Sequence, residues 1–245
     1  MNKNIYDDYS FGDFNYQREN DSPLLKSLLY NTAYLKGTIL DVGCGDGYYL
    51  NLINKIDKNL ETLGIDLSQN SIDYAKKRFG LKNIKLGDNQ DIPLDSNFAN
   101  LSISNGVIHH CNDPSAAFKE LIRVTKKNHY IYLSVYNVFN PYYWIIYKST
   151  FLVRFLYWKV SKKFFYLFFP LFYAIFYMLI RIFSSAKPKA YEIKKIFSDQ
   201  VLTKNAHLFS YKRIQKLCSL NNATIEDFGF SKLKLLLCFV IKKND

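Results

Sequence analysis

Residues 39–47 read Ile-Leu-Asp-Val-Gly-Cys-Gly-Asp-Gly, an apolar strand that runs into three alternating glycines. Glycine lets the backbone pass close to a ligand, and a helix starting near Asp46 would present its unpaired N–H groups there. The next apolar segment, residues 62–65, ends at Asp66, where a carboxylate can accept hydrogen bonds from the two hydroxyls of a ribose. Together these features predict a nucleoside-bearing ligand at a strand-to-helix turn.

The spacing of the glycines separates two classes of nucleoside cofactor. Dinucleotide-binding turns carry Gly-x-Gly-x-x-Gly or Ala, because a small third residue lets the helix pack closely on the strand. In this chain Gly43 and Gly45 are followed at that third position by Tyr48, whose ring is too large. The observed Gly-x-Gly-x-Gly, with Asp41 inside the strand end, resembles motif I of the class I S-adenosylmethionine-dependent methyltransferases.

The resemblance continues beyond this motif, in the order that the family follows. Residues 83–94, Asn-Ile-Lys-Leu-Gly-Asp-Asn-Gln-Asp-Ile-Pro-Leu, are similar to a strand and loop of the members that act on quinones, lipids and other small molecules. Residues 97–110 resemble the next strand and its active-site turn, and residues 113–124 look like the helix that follows. The chain is thus identified as a member of this group, of type 11, over roughly residues 37 to 136.

The resemblance implies an α/β fold of the Rossmann-like, doubly wound kind, with a seven-stranded, mostly parallel sheet and an antiparallel last strand. It also implies S-adenosylmethionine as the cofactor, with Asp88 at the adenine amino group. The residues that the family pattern places around the cofactor are Asp41, Gly43, Cys44, Gly45, Gly47, Asp66, Leu67, Asp88, Asn89 and Asn105. One departure is Asn128, which stands where relatives carry glycine and which can adopt the left-handed conformation.

Short apolar segments alternate with helical ones, as a parallel α/β sheet requires. The predicted strands lie at 37–42, 61–66, 83–87, 99–104 and 130–135, with closing strands at 224–228 and 234–241. Ser68, Asp113 and Ser210 are placed to cap helices, and Gly80 lies just beyond the end of the first of them. The alternation stops after the fifth strand.

An aromatic block follows, and residues 164–180 contain no charge. We expect residues 1–138 and 206–245 to form the cofactor-binding core and 139–205 an aromatic helical insertion. Pro170 is expected to divide the block into two helices, 153–169 and 171–183, that form a hairpin. Three interpretations remain open: a hairpin at a membrane interface, a soluble cap over the substrate pocket, and a membrane span, although seventeen residues reach only about 25 Å.

Charge is distributed unevenly along the chain. The net charge is +12, and residues 123–245 hold 21 Lys/Arg against 5 Asp/Glu. Such a basic half attracts phosphates, either of a nucleic acid or of an anionic membrane surface contacted through 139–190. Nucleic acid is the less favoured partner, because the basic residues flank an apolar run rather than isolated stacking aromatics.

The spacing of the cysteines and the N-terminal sequence indicate the cellular compartment in which the protein is expected. Cys44, Cys111, Cys218 and Cys238 are scattered without a Cys-x-x-Cys pair, so neither a metal site nor a disulfide framework is expected. Residues 1–18 lack the apolar segment of a signal peptide. These features predict a cytoplasmic protein that can lie peripherally on the cytoplasmic membrane face.

Methyl transfer requires an acceptor held in line with the methyl group, and a protic acceptor also requires a base. His109 and His110 lie where the fourth strand ends, at the sheet edge where α/β proteins bind ligands, so they are the candidate bases; His207 is a weaker one. Tyr6, Tyr9 and Phe11 resemble an N-terminal segment that closes over the cofactor in relatives. The expected function is methyl transfer to a small, lipophilic or lipid-linked acceptor. The alternatives are an RNA methyltransferase and a non-catalytic, cofactor-binding scaffold at a membrane.

Overall fold

The computed structural model describes residues 22–160, 162–183, 189–232 and 234–245. The aromatic residues Tyr6, Tyr9 and Phe11, and with them the rest of 1–21 and residues 184–188, lie outside these ranges. The strands are β1 (Thr38–Val42), β2 (Glu61–Asp66), β3 (Ile84–Leu86), β4 (Ala99–Asn105), β5 (Thr125–Tyr136), β6 (Ala223–Phe230) and β7 (Leu236–Lys243). The helices are α1 (Pro23–Leu29), α2 (Tyr48–Ile56), α3 (Gln69–Phe79), α4 (Pro114–Val124), α5 (Pro141–Ser149), α6 (Phe151–Phe155), α7 (Lys162–Phe183), α8 (Ala190–Gln200) and α9 (Tyr211–Leu220).

The seven strands form one sheet in the order β3-β2-β1-β4-β5-β7-β6. The first five strands are parallel to their neighbours, and β7 runs antiparallel to both β5 and β6. The strand order reverses between β1 and β4, so the carboxyl ends of these strands open the crevice in which such sheets bind ligands. This architecture confirms the predicted fold class.

Helices cover both faces of the sheet because its strands carry apolar side chains on both sides. Leu40 and Val42 of β1 belong to the cluster under α4 and α9, whereas Ile39 belongs to the cluster under α1 and α2. A third cluster, between α2, α3 and β3, includes Leu50 and Ile72. The packing holds the carboxyl ends of β1, β2 and β4 in fixed positions.

The predicted helix caps are confirmed. The Ser68 hydroxyl accepts from the Ser71 N–H, the Asp113 carboxylate from Ser115 and Ala116, and the Ser210 hydroxyl from Arg213. Gly80 ends α3 in the left-handed conformation. Caps were readable from sequence because each depends on residues only two or three positions apart.

Strand β5 is longer than the predicted 130–135. It begins at Thr125, which pairs with Ala99 across an irregularity in the β4–β5 ladder. Asn128 has a φ of 60°, so the left-handed conformation expected for this residue is confirmed. The polar segment 126–129 therefore lies within the strand, at the irregularity between the paired residues Thr125 and Tyr130.

The prediction of a hairpin broken at Pro170 is wrong. Helix α7 runs without interruption from Lys162 to Phe183, with Pro170 inside it. Its buried side chains pack on α8 and on the preceding helical segment, in a cluster built around Phe176, Ile193 and Phe197. Packing on a long apolar face thus outweighs the hydrogen bond that proline removes, which local sequence could not reveal.

The other face of α7 is a stripe of apolar side chains in contact with solvent. Leu167, Phe168, Leu171, Ile175 and Met178 form this stripe, and Leu167 is 72% exposed. The spacing of three and four residues puts them on one side of the helix. Among the residues that the structure describes, no helix combines the length and apolar composition needed to cross a membrane.

Each of the two tryptophans of the insertion donates its indole N–H to a backbone carbonyl. The indole N–H of Trp144 in α5 donates to the Val138 carbonyl at 2.6 Å. The indole N–H of Trp158, between α6 and α7, donates to the Leu202 carbonyl at 2.8 Å. The second bond joins the first half of the insertion to the segment that follows α8.

Candidate functional site

The glycine turn at the end of β1 is a tight backbone cradle. Gly43, Gly45 and Gly47 have φ values of 79°, 53° and 73°, in the left-handed region. A Cβ atom on Gly43 would lie 2.6 Å from both methyl groups of Val107, which follows β4. A side chain at residue 43 would therefore both strain the backbone and fill the space between the ends of β1 and β4.

Helix α2 begins two residues later than the sequence suggested. Its N-cap is Gly47, and Asp46 lies outside the helix with its carboxylate accepting from the Tyr48 N–H at 3.2 Å. Arg78 of α3 lies 3.8 Å from the same carboxylate. The start of α2 is thus tied to α3 and faces the carboxyl edge of the sheet.

Asp66 at the end of β2 holds the glycine turn. One carboxylate oxygen, Oδ2, accepts from the Gly45 N–H at 2.8 Å, and the other, Oδ1, accepts from the Ser68 N–H at 2.9 Å. Burial raises the pKa of this carboxyl, and its hydrogen bonds to backbone N–H groups oppose that rise. The predicted partners of the nucleoside site are therefore in direct contact, although a bond from Asp66 to ribose stays a prediction.

Asp41 is a buried acid beneath the turn. It is 2% exposed, and its Oδ2 atom has no hydrogen-bond partner among the described residues. Burial, followed by the nearby Asp66 and Asp46 carboxylates, raises the pKa of Asp41 to about 8. At neutral pH the group therefore carries a proton, and it can donate as well as accept a hydrogen bond.

The loop after β3 carries the residues predicted at the adenine ring. The Asp88 carboxylate accepts from the Gln90 backbone N–H at 2.9 Å, which shapes the loop. The side-chain oxygen of Gln90 accepts a hydrogen bond from the backbone N–H of Asp113 at 2.6 Å. The Asn89 side-chain oxygen is buried without a partner in the described part of the chain. This loop and the partly exposed Leu67 lie after β3 and β2, on the same edge as the glycine turn.

Asn105 and Cys44 serve the packing of the site. The Asn105 amide accepts from the Ser134 hydroxyl at 2.6 Å and donates to the Tyr49 hydroxyl at 3.0 Å, so it links β4, β5 and α2. Cys44 is buried against Gly64, and burial raises the pKa of its thiol well above the usual value. A protonated thiol is a poor nucleophile, so Cys44 is not suited to a nucleophilic role.

His109 lies on a 3₁₀ turn, Ile108–His110, directly after β4. Its ring is buried, and neither ring nitrogen has a hydrogen-bond partner among the described residues. Burial, with smaller contributions from His110 and His207, lowers the pKa of His109 well below its usual value. The ring is therefore neutral, and its carbonyl accepts from the His207 N–H at 2.8 Å.

His110 is partly exposed and makes polar contacts through both ring nitrogens. Its Nδ1 lies 3.0 Å from the Asn205 carbonyl and 3.2 Å from the Thr203 hydroxyl, and its Nε2 lies 3.3 Å from the Tyr136 hydroxyl. The structure therefore brings together the two predicted histidines and His207. Burial lowers the pKa of His207, and its Nε2 is buried without a partner in the described ranges.

Sequence reasoning missed Tyr136, Tyr143, Thr203 and Asn205. Tyr136 ends β5 on the ligand-binding edge, so its position was a usable signal. The other three belong to the insertion and reach the site only through its fold. In the described part of the chain, no three His, Cys, Asp or Glu side chains are grouped so that they could hold a metal ion.

Residues 40–133 match the model of a protein family described as Methyltransferase domain. Among curated proteins, the malonyl-(acyl-carrier protein) O-methyltransferase of Yersinia pestis is 30% identical over 112 residues, which cover 46% of this chain and 40% of that protein. The tRNA (carboxymethyluridine(34)-5-O)-methyltransferase alkbh8 of Xenopus tropicalis is 32% identical over 127 residues, which cover 50% of this chain and 19% of that protein. The chain thus spans less than half of the length of each of these curated relatives.

Among solved structures, the chain is similar to one in the complex between the Haloferax volcanii Trm112 methyltransferase activator and a protein described as a methyltransferase. The TM-score is 0.66 at 13% identity, and the alignment covers 100% of both chains. At this identity the likeness concerns the fold, including the part of the chain that the family model leaves out.

Proposed function

We propose that this chain, which belongs to the class I S-adenosylmethionine-dependent methyltransferases of the type 11 group, transfers a methyl group to a small, lipophilic or lipid-linked acceptor. The single observation that supports the methyl-transfer chemistry is the hydrogen bond between Gly45 of the glycine turn and Asp66, close to the buried carboxyl of Asp41. The acceptor class is argued separately, from the insertion.

The residues at the turn fit S-adenosylmethionine. Gly43 leaves space that a Cβ would fill, and the unpartnered Oδ2 of Asp41 lies beneath it. Asp66 and the loop around Asp88 would hold the ribose and adenine, and Asn89 offers a buried oxygen without a partner. When bound, this cofactor supplies an electrophilic methyl group on its sulfonium. The chain's task is then to bind, to orient the acceptor and to exclude water.

The lipophilic part of the proposal rests on the exposed stripe of α7 and on one relative. A row of five exposed apolar side chains on one helix is unusual on a protein surface that meets only water. The name of the Yersinia pestis relative gives its substrate as a malonyl group on acyl carrier protein. For this chain we propose an acceptor that is likewise presented on a carrier or lipid.

We also propose that residues 139–205 form a substrate cap that contacts a membrane surface. In addition to the α7 stripe, Phe151, Leu152 and Phe155 of α6 are exposed. Lys159, shortly before α7, and Arg181, near the end of α7, are also exposed. Apolar faces with basic borders suit the headgroup region of a bilayer. The insertion would then lie against the lipid while it covers the acceptor.

Cofactor binding is tested by calorimetry with S-adenosylmethionine. We expect Asp66→Ala to lower affinity at least about tenfold, because the variant loses both the predicted ribose contact and the bond that holds Gly45. Asp73→Ala removes an exposed carboxylate from α3 and is the matched control. Undetectable binding to the wild-type chain, or equal affinity in Asp66→Ala, would contradict the proposal.

The acceptor class is tested by incubating the chain and labelled S-adenosylmethionine with separated lipid and aqueous extracts of cells. We expect label in the lipid fraction or on an acylated carrier protein. Label confined to small aqueous products would defeat the lipophilic acceptor. Cofactor binding without transfer in any fraction would favour the non-catalytic scaffold.

RNA is the second candidate acceptor, on two observations. Helix α9 exposes Lys212, Arg213 and Lys216, and one relative is named as a tRNA methyltransferase. Binding to a tRNA mixture that falls steeply with salt, together with label in RNA, would support this function. Lys212→Glu with Lys216→Glu should then abolish binding.

A further inference from the structure

Tyr136, at the carboxyl end of β5, is clamped between two aromatic rings. The His109 ring stacks on one side with centroids 3.6 Å apart and planes at 27°, and the Tyr143 ring stacks with centroids 4.1 Å apart and planes at 28°. His109 follows β4, whereas Tyr143 comes from α5 of the insertion. Contacts from two separate elements therefore fix the plane of the Tyr136 ring and the place of its hydroxyl.

The contacts of His110 determine which of its nitrogens carries the proton. A carbonyl oxygen can only accept, so the 3.0 Å contact with the Asn205 carbonyl requires a proton on Nδ1. The Thr203 hydroxyl donates to the same carbonyl at 3.2 Å, and it therefore accepts from Nδ1 as well. The remaining nitrogen, Nε2, has its lone pair directed at the Tyr136 hydroxyl, 3.3 Å away.

We propose that Tyr136 and His110 form a proton relay that serves a hydroxyl acceptor, and that Thr203 and Asn205 hold His110 in the tautomer that the relay requires. This inference rests on the proposed methyl transfer and deepens it by assigning the proton path and the class of acceptor. His109 is a positioning residue in this scheme, because its role is to stack on Tyr136.

The proton and the electrons balance in the relay. The proton of the acceptor hydroxyl moves to the Tyr136 oxygen while the Tyr136 proton moves to Nε2 of His110, which becomes positively charged. The acceptor oxygen keeps the electron pair of its O–H bond and uses it to bond the methyl group, and the pair of the broken carbon–sulfur bond stays on sulfur. His110 is partly exposed, so it then returns the proton to solvent.

The relay narrows the acceptor class. A carboxylate or thiolate reaches the site without a proton to lose and gains nothing from a base. A hydroxyl must lose its proton, and a positioned base then contributes roughly 10²- to 10⁴-fold to the rate. The arrangement around His110 therefore favours a protic acceptor, such as an alcohol or phenol, over a carboxylate or thiolate.

The tautomer is tested by nuclear magnetic resonance on the full chain with ¹⁵N-labelled histidine. Long-range ¹H–¹⁵N spectra distinguish a protonated from an unprotonated ring nitrogen, and His110→Gln assigns the His110 signals. We expect a proton on Nδ1 of neutral His110, and a change at Nε2 in Tyr136→Phe, which keeps the ring stack. A proton on Nε2 in the neutral wild-type ring, or an unchanged Nε2 signal in the variant, would overturn the relay.

The catalytic role is tested with labelled S-adenosylmethionine and the lipid extract. We expect Tyr136→Phe to reduce the labelling rate by roughly 100-fold with unchanged cofactor affinity and melting temperature. Tyr34→Phe, whose ring packs on Tyr130 far from the site, is the matched control and should retain the wild-type rate.

The two experiments fail independently. An unreduced rate in Tyr136→Phe overturns the relay and leaves methyl transfer standing. If the wild-type chain labels no acceptor, the proposed function fails, and the resonance spectra still decide the hydrogen-bond arrangement of His110.

Discussion

At the scale of single residues, the ligand-binding edge of the sheet holds more acid than its surroundings neutralise. Asp41 and Asp66 lie near the ends of the neighbouring strands β1 and β2; Asp41 is buried, Asp66 is partly buried, and the pKa of each carboxyl is raised. Their low exposure to solvent disfavours negative charge on the carboxyls. The edge is therefore suited to ligand hydroxyl and amine groups that form hydrogen bonds with these carboxyls. The stability of the free chain should reflect this arrangement.

Replacing Asp41 by asparagine should change how stability depends on pH. The folded chain keeps the Asp41 proton up to a pH near 8, whereas the unfolded chain releases it near the ordinary value of 3.8. The penalty that Asp41 places on stability is therefore absent below pH 4 and grows as pH rises toward 8, by up to about 1.4 kcal/mol per pH unit. Urea unfolding at pH 5, 6 and 7 should show this slope in the wild type and a weaker slope in Asp41→Asn. Parallel curves for these two would refute it, and Asp73→Asn should follow the wild type.

Comparing Gly43 with Gly80 distinguishes two costs of adding a side chain, backbone strain and steric overlap. Both have positive φ, of 79° and 66°, but a Cβ on Gly43 meets Val107 and one on Gly80 meets nothing within 4 Å. Gly80→Ala should cost about 1 kcal/mol of unfolding free energy from backbone strain. Gly43→Ala should cost a further 1–3 kcal/mol, roughly, from overpacking, and should lose cofactor binding. Equal losses in urea unfolding would show that the contact with Val107 relaxes freely.

Residues in the site differ in how far sequence could predict them. Asp66 and the caps at Ser68 and Asp113 were predictable, because each acts within a few positions of a recognisable motif. The partners of His110 were not, because Thr203 and Asn205 are 93 and 95 positions away. No local pattern encodes a contact that depends on where a whole insertion returns to the core.

At the scale of elements, strands were easier to predict than the helices of the insertion. Alternation of apolar segments predicted the strands to within a few residues, apart from the start of β5, because the central strands β1, β2 and β4 are buried on both faces. In the insertion, α7 carries apolar residues on all of its sides. The periodicity of its sequence therefore could not indicate which face packs on α8. Pro170 suggested a break because proline usually ends a helix, but tertiary packing keeps α7 continuous.

The exposed stripe of α7 should bind lipid. We expect Leu171→Gln with Ile175→Gln to reduce binding to vesicles of anionic phospholipid at least about tenfold, since each loses apolar area that the bilayer would cover. Melting temperature should be unchanged, because both side chains are already exposed. Leu220→Gln, at the exposed end of α9, is the control. Undiminished vesicle sedimentation in the double variant would remove the membrane from the proposal.

At the scale of the whole molecule, the insertion leaves and re-enters the core at one place. Val138 donates its N–H to the Phe209 carbonyl at 2.8 Å, and Phe209 donates to the Tyr136 carbonyl at 2.9 Å. The chain between them forms a cluster of its own around Phe176 and Phe197. The sheet therefore does not depend on the insertion for its strand pairing.

Replacing residues 140–207 by a short Gly-Ser linker should leave the core folded. We expect the shortened chain to bind S-adenosylmethionine within about threefold of the wild type, because the glycine turn, Asp66 and Asp88 lie outside the deleted range. Acceptor labelling should be lost together with the contacts of Thr203 and Asn205. Calorimetry and circular dichroism check the first expectation, and a chain that fails to fold would show that the insertion is part of the core.

Both tryptophans of the chain, Trp144 and Trp158, lie in the insertion. Intrinsic indole fluorescence is therefore an optical reporter of the insertion alone, silent about the sheet. Trp144 is 46% exposed beside the exposed apolar residues, whereas Trp158 is partly buried with its N–H bound to Leu202. A blue shift on adding vesicles would come from Trp144, and the signal of Trp158 would report unfolding of the cluster behind it. Without any added label, the emission wavelength of the protein can thus report both docking on vesicles and unfolding of the insertion.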